Sequence, residues 1–135
     1  MPADTMIPTA KTANGLSRRI LVIDDQEGVR SFLGRLISRM GLEVFVAESG
    51  SQALELLDGA RFDLYLLDVR MPGLNGLETL RGIRRVDPSA AVVMMTGYAD
   101  EEILEGVRAE GVLDILPKPL DLRHLRGIIE TALGP

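Results

Sequence analysis

The chain has 135 residues, 46% hydrophobic and 26% charged, with a formal net charge of −5. This is enough for one domain with a buried core, in a composition that is neither disordered nor fibrous. Acidity without a basic stripe speaks against nucleic-acid contact, and the absence of cysteine removes disulfides, thiol catalysis and zinc–thiolate centres. His124 is the only histidine, so the metals left to consider are hard cations held by oxygen. The longest apolar run, Ala90 to Met95, is too short to span a bilayer and the N-terminus lacks an apolar signal core, so a cytoplasmic location without membrane contact is expected.

Residues 1–17 carry two prolines, a glycine and small polar residues without periodicity, which predicts a mobile, disordered tail. Arg19 to Asp24 is apolar up to its terminal acid and predicts the first strand. From Glu27 the period becomes helical, with Val29, Phe32, Leu33, Leu36, Ile37 and Met40 on one face, until Gly41 stops it. Glu43 to Ala47 predicts the second strand, and Ser49-x-x-Gln52 a capping box for a short helix that turns Ala53, Leu56 and Leu57 inward. The third strand begins at Leu64, reads as buried on both faces, and ends at Asp68. A carboxylate closing such a run belongs at the sheet's carboxyl edge, where open α/β sheets place ligands and chemistry.

Asn75-x-x-Glu78 opens a helix carrying Leu77, Leu80 and Ile83, which closes before Asp87-Pro88. Ala91 to Thr96 predicts the fourth strand. Asp100 caps a helix with Ile103 and Val107, ended by Gly111, and Leu113 to Leu116 predicts the fifth strand. Asp121 caps the last helix, with Leu122, Leu125, Ile129 and Leu133 on one face. Met71, Met94 and Met95 read as core filler, and His124 as a surface or helix-end residue.

Five strands alternating with five helices predict an α/β fold with right-handed crossovers and a mostly parallel sheet covered on both sides. Parallel strands present their carboxyl ends together, so Asp24, Asp25, Asp68, Thr96 and Lys118 gather along one edge. Taken singly, each has a plain reading: Asp24 or Asp25 as a helix cap, Thr96 as a strand residue, Lys118 as a surface charge. Together they differ, because carboxylates about 4 Å apart repel by about 4 kcal/mol per pair at an effective dielectric of about 20. A divalent cation removes that cost, and oxygen-only ligands with solvent access suit Mg²⁺ or Mn²⁺.

Asp24-Asp25, the segment Asp68-Val-Arg-Met-Pro-Gly, Met95-Thr96-Gly97-Tyr98 and Lys118-Pro119, in this order and on these strand ends, resemble the receiver domain of two-component response regulators. The resemblance covers roughly residues 18 to 133, with the domain expected over 18–135. It implies a flavodoxin-like (βα)5 three-layer sandwich whose parallel five-stranded sheet has the order 2-1-3-4-5. It also implies phosphorylation of Asp68 by a histidine kinase or histidine phosphotransfer protein, with a changed surface read by a downstream protein target. By the same resemblance Asp25 and Asp68 ligate Mg²⁺ or Mn²⁺ together with the backbone carbonyl of Arg70, and Asp24 acts through a metal-bound water. Thr96 hydrogen-bonds the phosphoryl group and Lys118 pairs with it. Arg70 and Tyr98 sit where the family tunes phosphoryl lifetime, and the Lys118–Pro119 bond is expected to be cis.

The chemistry agrees on physical grounds: Asp68 serves as nucleophile, a metal offsets charge on the transferring group, and Lys118 meets another of its oxygens. Two departures stand out. Ile115 occupies a position where many receivers carry Tyr or Phe, and Pro117 precedes the lysine. Glu101, Glu102 and Glu105 on the fourth helix and Arg123 and Arg126 on the fifth predict a weak, salt-sensitive homodimer through helix four, strand five and helix five. The expected function is a phosphoacceptor switch that assists its own phosphorylation and dephosphorylation rather than an enzyme, with no output domain after Pro135. One alternative is a Mg²⁺-dependent phosphatase with an aspartyl nucleophile, a class that typically places an acid/base Asp where this chain has Arg70. The other is a pseudo-receiver that only binds proteins, against which the complete set of five site residues speaks.

Overall fold

The computed structural model describes residues 6–7, 18–97 and 100–134. In chain order the elements are β1 (Met6–Ile7), β2 (Arg19–Ile23), α1 (Glu27–Arg39), β3 (Glu43–Ala47), α2 (Gly50–Leu56), β4 (Leu64–Asp68), α3 (Gly76–Val86), β5 (Val92–Thr96), α4 (Glu101–Ala109), β6 (Asp114–Pro117) and α5 (Leu122–Leu133). Strands β2 to β6 are all parallel and lie side by side as β3-β2-β4-β5-β6, which is the order 2-1-3-4-5 among the five expected strands.

The strand β1 falls inside the segment 1–17 expected as a tail. It pairs antiparallel with β3, setting Met6 opposite Phe45 and Ile7 opposite Val44. The cause lies in β3 rather than in the tail. Glu43 donates its N–H to the carbonyl of Arg18 at 2.9 Å and Ala47 accepts from Asp24 N–H at 3.1 Å, so these residues face β2. The intervening Val44 and Val46 then point their peptide groups away from β2, and β1 lies along that edge. The rest of the expected tail lies outside the described residues.

Alternation along the strands divides the core into two layers. Leu21, Ile23, Tyr65, Leu67 and Met94 face Ala53, Leu57, Leu80, Ile83, Leu104 and Val107 on α2, α3 and α4 or beside them. Ile20, Val22, Leu66, Val93 and Met95 face Leu33 and Ile37 of α1 and Leu125, Ile129 and Leu133 of α5. Strand β4 is buried from end to end, as an unbroken apolar run in the middle of a parallel sheet demands. Phe32 departs from its expected place: it is 42% exposed, on the flank of the narrow stripe formed by Leu33, Gly34 and Ile37. Several boundaries move by a residue, β2 ending at Ile23, β5 starting at Val92 and β6 running to Pro117.

The helix starts obey local chemistry. Asn75 and Glu78 form the reciprocal box, each side chain accepting the other's N–H at 2.9 Å. At α2 only half of the expected box closes, because Ser49 accepts from Gln52 N–H at 3.0 Å while Gln52 Oε1 takes the N–H of Glu48 at 2.7 Å. Asp100 and Asp121 cap α4 and α5. At the other end of α4, Arg84 of α3 donates from Nη1 to the Glu110 carbonyl at 2.7 Å, from Nη2 to that of Gly111 at 3.3 Å, and from Nε to that of Ala90 at 3.1 Å. It thereby satisfies the carbonyl of the C-cap of α4 and of the residue after it, and ties them to the turn that leads into β5. Among the described residues no helix is long and apolar enough to cross a membrane.

Candidate functional site

Each parallel strand delivers its last residues to the same edge. Asp24 follows β2 and is fully buried, Asp68 closes β4 at 5% exposure, and Asp25 is exposed beside them. Carboxylate oxygens of the three lie within 4.8 Å of one another. The lysine arrives by register. Thr96 pairs with Pro117, and the Lys118 N–H donates to the Thr96 carbonyl at 2.8 Å, so the ladder itself sets Lys118 beside the end of β5.

From there Lys118 Nζ reaches Asp24 Oδ2 at 2.7 Å, Gln26 Oε1 at 3.3 Å and Asp68 Oδ2 at 3.4 Å. Asp24 Oδ1 accepts the N–H of Gln26 at 2.9 Å, and the Arg70 N–H lies 3.4 Å from Asp68 Oδ1. From α1, Arg30 donates Nη1 to the Asp24 carbonyl at 2.9 Å and places Nη2 at 3.9 Å from Glu48 Oε2. The Asp68 carboxyl is pushed up from 3.8 to about 6, first by burial and then by the charge of Asp24. Lys118 and the Arg70 N–H pull in the opposite direction.

Three carboxylates facing one ammonium leave an excess of negative charge on hard oxygen donors, which is the environment a small divalent cation suits. The acidic cluster therefore fits Mg²⁺ or Mn²⁺ by donor type and by charge. Asp24, Asp25, Asp68 and Lys118 come together, and Thr96 is half-buried on the adjoining strand end. Arg70 is exposed two residues beyond Asp68, and Ile115 packs half-buried against the layer of α2, α3 and α4. The Lys118–Pro119 bond is cis. Tyr98 lies outside the described residues. His124 is exposed, with Nε2 3.2 Å from Asp114 Oδ2, away from the carboxylates.

Sequence reading missed Gln26 and Arg30. The available signal was a glutamine, a residue outside the group that caps helices well, at the position where α1 begins. Beside Lys118 an apolar recess of about 440 Å³ opens between Val29 and Phe32 of α1 and Pro119, Leu120 and Leu122.

Comparison with known proteins places this geometry among relatives. The family model of the response regulator receiver domain matches residues 20–130. Sporulation initiation phosphotransferase F of Bacillus subtilis is 32% identical over 118 residues, 87% of this chain and 95% of that protein. The transcriptional regulatory protein ZraR of Escherichia coli is 40% identical over 115 residues, which is 85% of this chain but 26% of that protein. Among solved structures, a CheY-like receiver domain protein from Methanospirillum hungatei superposes with a TM-score of 0.83 at 27% identity, covering 87% of this chain and 94% of its own. The Vibrio cholerae chemotaxis protein CheY4 gives 0.78 at 26% identity, covering 86% and 98%.

Proposed function

Since the chain belongs to the response regulator receiver domain family, whose members are switches in phosphorylation-based signalling, we propose that Asp68 is its phosphoacceptor and that Asp24, Asp25, Thr96 and Lys118 serve the transfer. The observation that carries this reading is the Asp68 carboxylate at the mouth of β4, with Lys118 Nζ 3.4 Å away and two further carboxylates beside it. An ionised Asp68 oxygen forms the new bond to phosphorus as the bond from phosphorus to a histidine nitrogen of the donor breaks, and the donor leaves as neutral imidazole once protonated. Lys118 exchanges one carboxylate partner for a phosphoryl oxygen, and the Thr96 hydroxyl donates to another. Asp24, Asp25, Asp68 and the Arg70 carbonyl would hold Mg²⁺ or Mn²⁺, which when bound supplies positive charge against the phosphoryl oxygens. Arg70, Tyr98 and Ile115 modulate the site's lifetime and its coupling to the surface.

The partner is a histidine kinase or histidine phosphotransfer protein, and its docking face includes the apolar recess around Phe32, which adjoins Lys118 and would bring a donor imidazole over Asp68. A downstream protein reads the phosphorylated state. Incubation with acetyl phosphate and Mg²⁺ should add one phosphoryl mass to the wild-type chain and none in EDTA or in Asp68→Asn. Equal labelling of the Asp68→Asn protein would remove the assignment.

Exposed Glu101, Glu102 and Glu105 on α4 and exposed Arg123 and Arg126 on α5 support a weak two-fold dimer through α4, β6 and α5 in the phosphorylated state. Sedimentation with the phosphoryl mimic beryllofluoride should show it at low salt and lose it at high salt. A monomer at low salt with the mimic bound ends that proposal.

A further inference from the structure

We propose that Gln26 is a positioning residue for Lys118, holding the ammonium at the site while its charged partners are taken up by metal and phosphoryl chemistry; this role rests on the phosphoacceptor reading above. The geometry is a closed ring. The Gln26 N–H binds Asp24 Oδ1 at 2.9 Å, Asp24 Oδ2 accepts from Lys118 Nζ at 2.7 Å, and Nζ returns to Gln26 Oε1 at 3.3 Å.

An ammonium has three protons, and the three acceptors around Lys118 are Asp24, Gln26 and Asp68. Two of them are carboxylates of the acidic cluster. Gln26 alone among these acceptors is neutral, so it draws a cation less strongly than either carboxylate and does not change when Asp68 is modified. One Lys118 proton can therefore pass from Asp68 to an incoming phosphoryl oxygen while another stays on Gln26.

A second observation agrees. Gln26 is the N-cap of α1, extended at φ −92° and ψ 117°, yet its side chain makes no capping bond. Ser, Thr, Asp or Asn would cap that helix start, as glutamine does not. The position carries instead a side chain long enough to reach a lysine 92 residues away. Local rules broken in this way concentrate at functional sites. Because the side chain is exposed and caps nothing, its replacement leaves neither a core cavity nor an orphaned helix end.

Gln26→Met keeps the length and removes the acceptor, whereas Gln26→Glu keeps an acceptor. Lys11 and Lys118 are the chain's lysines, so acetylation by a small activated ester can be followed at each by mass spectrometry in metal-free protein. Relative to Lys11, Lys118 should react about two- to ten-fold faster in Gln26→Met, the range expected for one lost hydrogen bond. In Gln26→Glu it should keep wild-type protection. With saturating Mg²⁺, phosphoryl uptake from acetyl phosphate should slow by a similar factor in Gln26→Met, at an unchanged half-saturating Mg²⁺ concentration. Unchanged Lys118 protection in Gln26→Met overturns the tether. Altered protection with wild-type uptake overturns its role in positioning. Absence of uptake by the wild-type chain itself overturns the phosphoacceptor reading and this role with it, and the acetylation pattern tells the two failures apart.

Discussion

Asp68 lowers the stability of the metal-free protein. Its carboxyl titrates near 6 rather than 3.8 because burial and the Asp24 charge both disfavour the anion. Between about pH 4 and pH 6 the folded state keeps a proton that the unfolded chain has released, so stability falls as pH rises through that window. Above it the full cost is present, on the order of 2 to 3 kcal/mol for a shift of this size. Asp68→Asn carries no such charge. In EDTA it should be more stable than wild type by that order at pH 7.5, and the difference should shrink toward zero as the pH falls to about 4, as read by urea melts across the range. A difference that ignores pH would show that Asp68 is not strained by its charge. The residue type and its strand end were legible in the sequence, because an acid closing an unbroken apolar run has one sensible place. Gln26 was not legible, since the partner that explains it lies 92 residues along the chain and only the assembled sheet edge brings them together.

At the scale of elements, α3 is seated directly on the end of the strand that carries Asp68. Its first residue, Gly76, donates its N–H to the Val69 carbonyl at 2.8 Å, and a Cβ there would come within 2.6 Å of the Asp68 carbonyl oxygen and of Val69 Cα. Backbone atoms cannot step aside as a flexible side chain would. Gly76→Ala should therefore cost about 1 to 3 kcal/mol of stability and also slow phosphoryl uptake, because relief requires moving the strand end that carries Asp68. Gly127→Ala is the matched contrast: it lies within α5 with nothing inside 4 Å of the added carbon. It should stabilise by about 0.5 to 1 kcal/mol and leave uptake unchanged. Thermal melts and intact-mass labelling of the two variants decide it, and equal effects would refute the close approach at Gly76. Helix starts were readable because a capping box is a four-residue signal, as at Asn75 and Glu78. The strand β1 was unreadable for the opposite reason, as two residues have no period and their pairing is dictated by the outward peptide groups of Val44 and Val46. Phe32 misled because helical spacing marks a wide face while α1 buries a narrow one.

For the whole molecule, a cation held at the acidic edge would link folding to metal. A cation that binds only the assembled carboxylates stabilises the fold by mass action, about 2.7 kcal/mol at a hundred-fold excess over its dissociation constant. Millimolar Mg²⁺ should raise the melting temperature above that in EDTA. Asp25→Asn should raise the metal-free value, by less than Asp68→Asn because Asp25 is exposed, and should blunt the response to Mg²⁺. A melting temperature indifferent to Mg²⁺ would mean the carboxylates do not act as a set. The five parallel strands and their two covering layers were legible because burial on both faces leaves a strand sequence few alternatives, and their order followed from the family resemblance, whereas the contacts that tie one edge of the molecule to another were not legible. Among those contacts, the grip of Arg84 on the carbonyls of Glu110 and Gly111, just past α4, would let that helix act as a lever pivoting at its C-terminal end. Its far end begins just after the segment that follows Thr96, about 13 Å from the pivot for nine residues at 1.5 Å each. A push of about 1 Å at that end tilts the helix by only about 4° at this length, yet it carries Glu101 and Glu102 through nearly the whole stroke while Arg108 hardly moves.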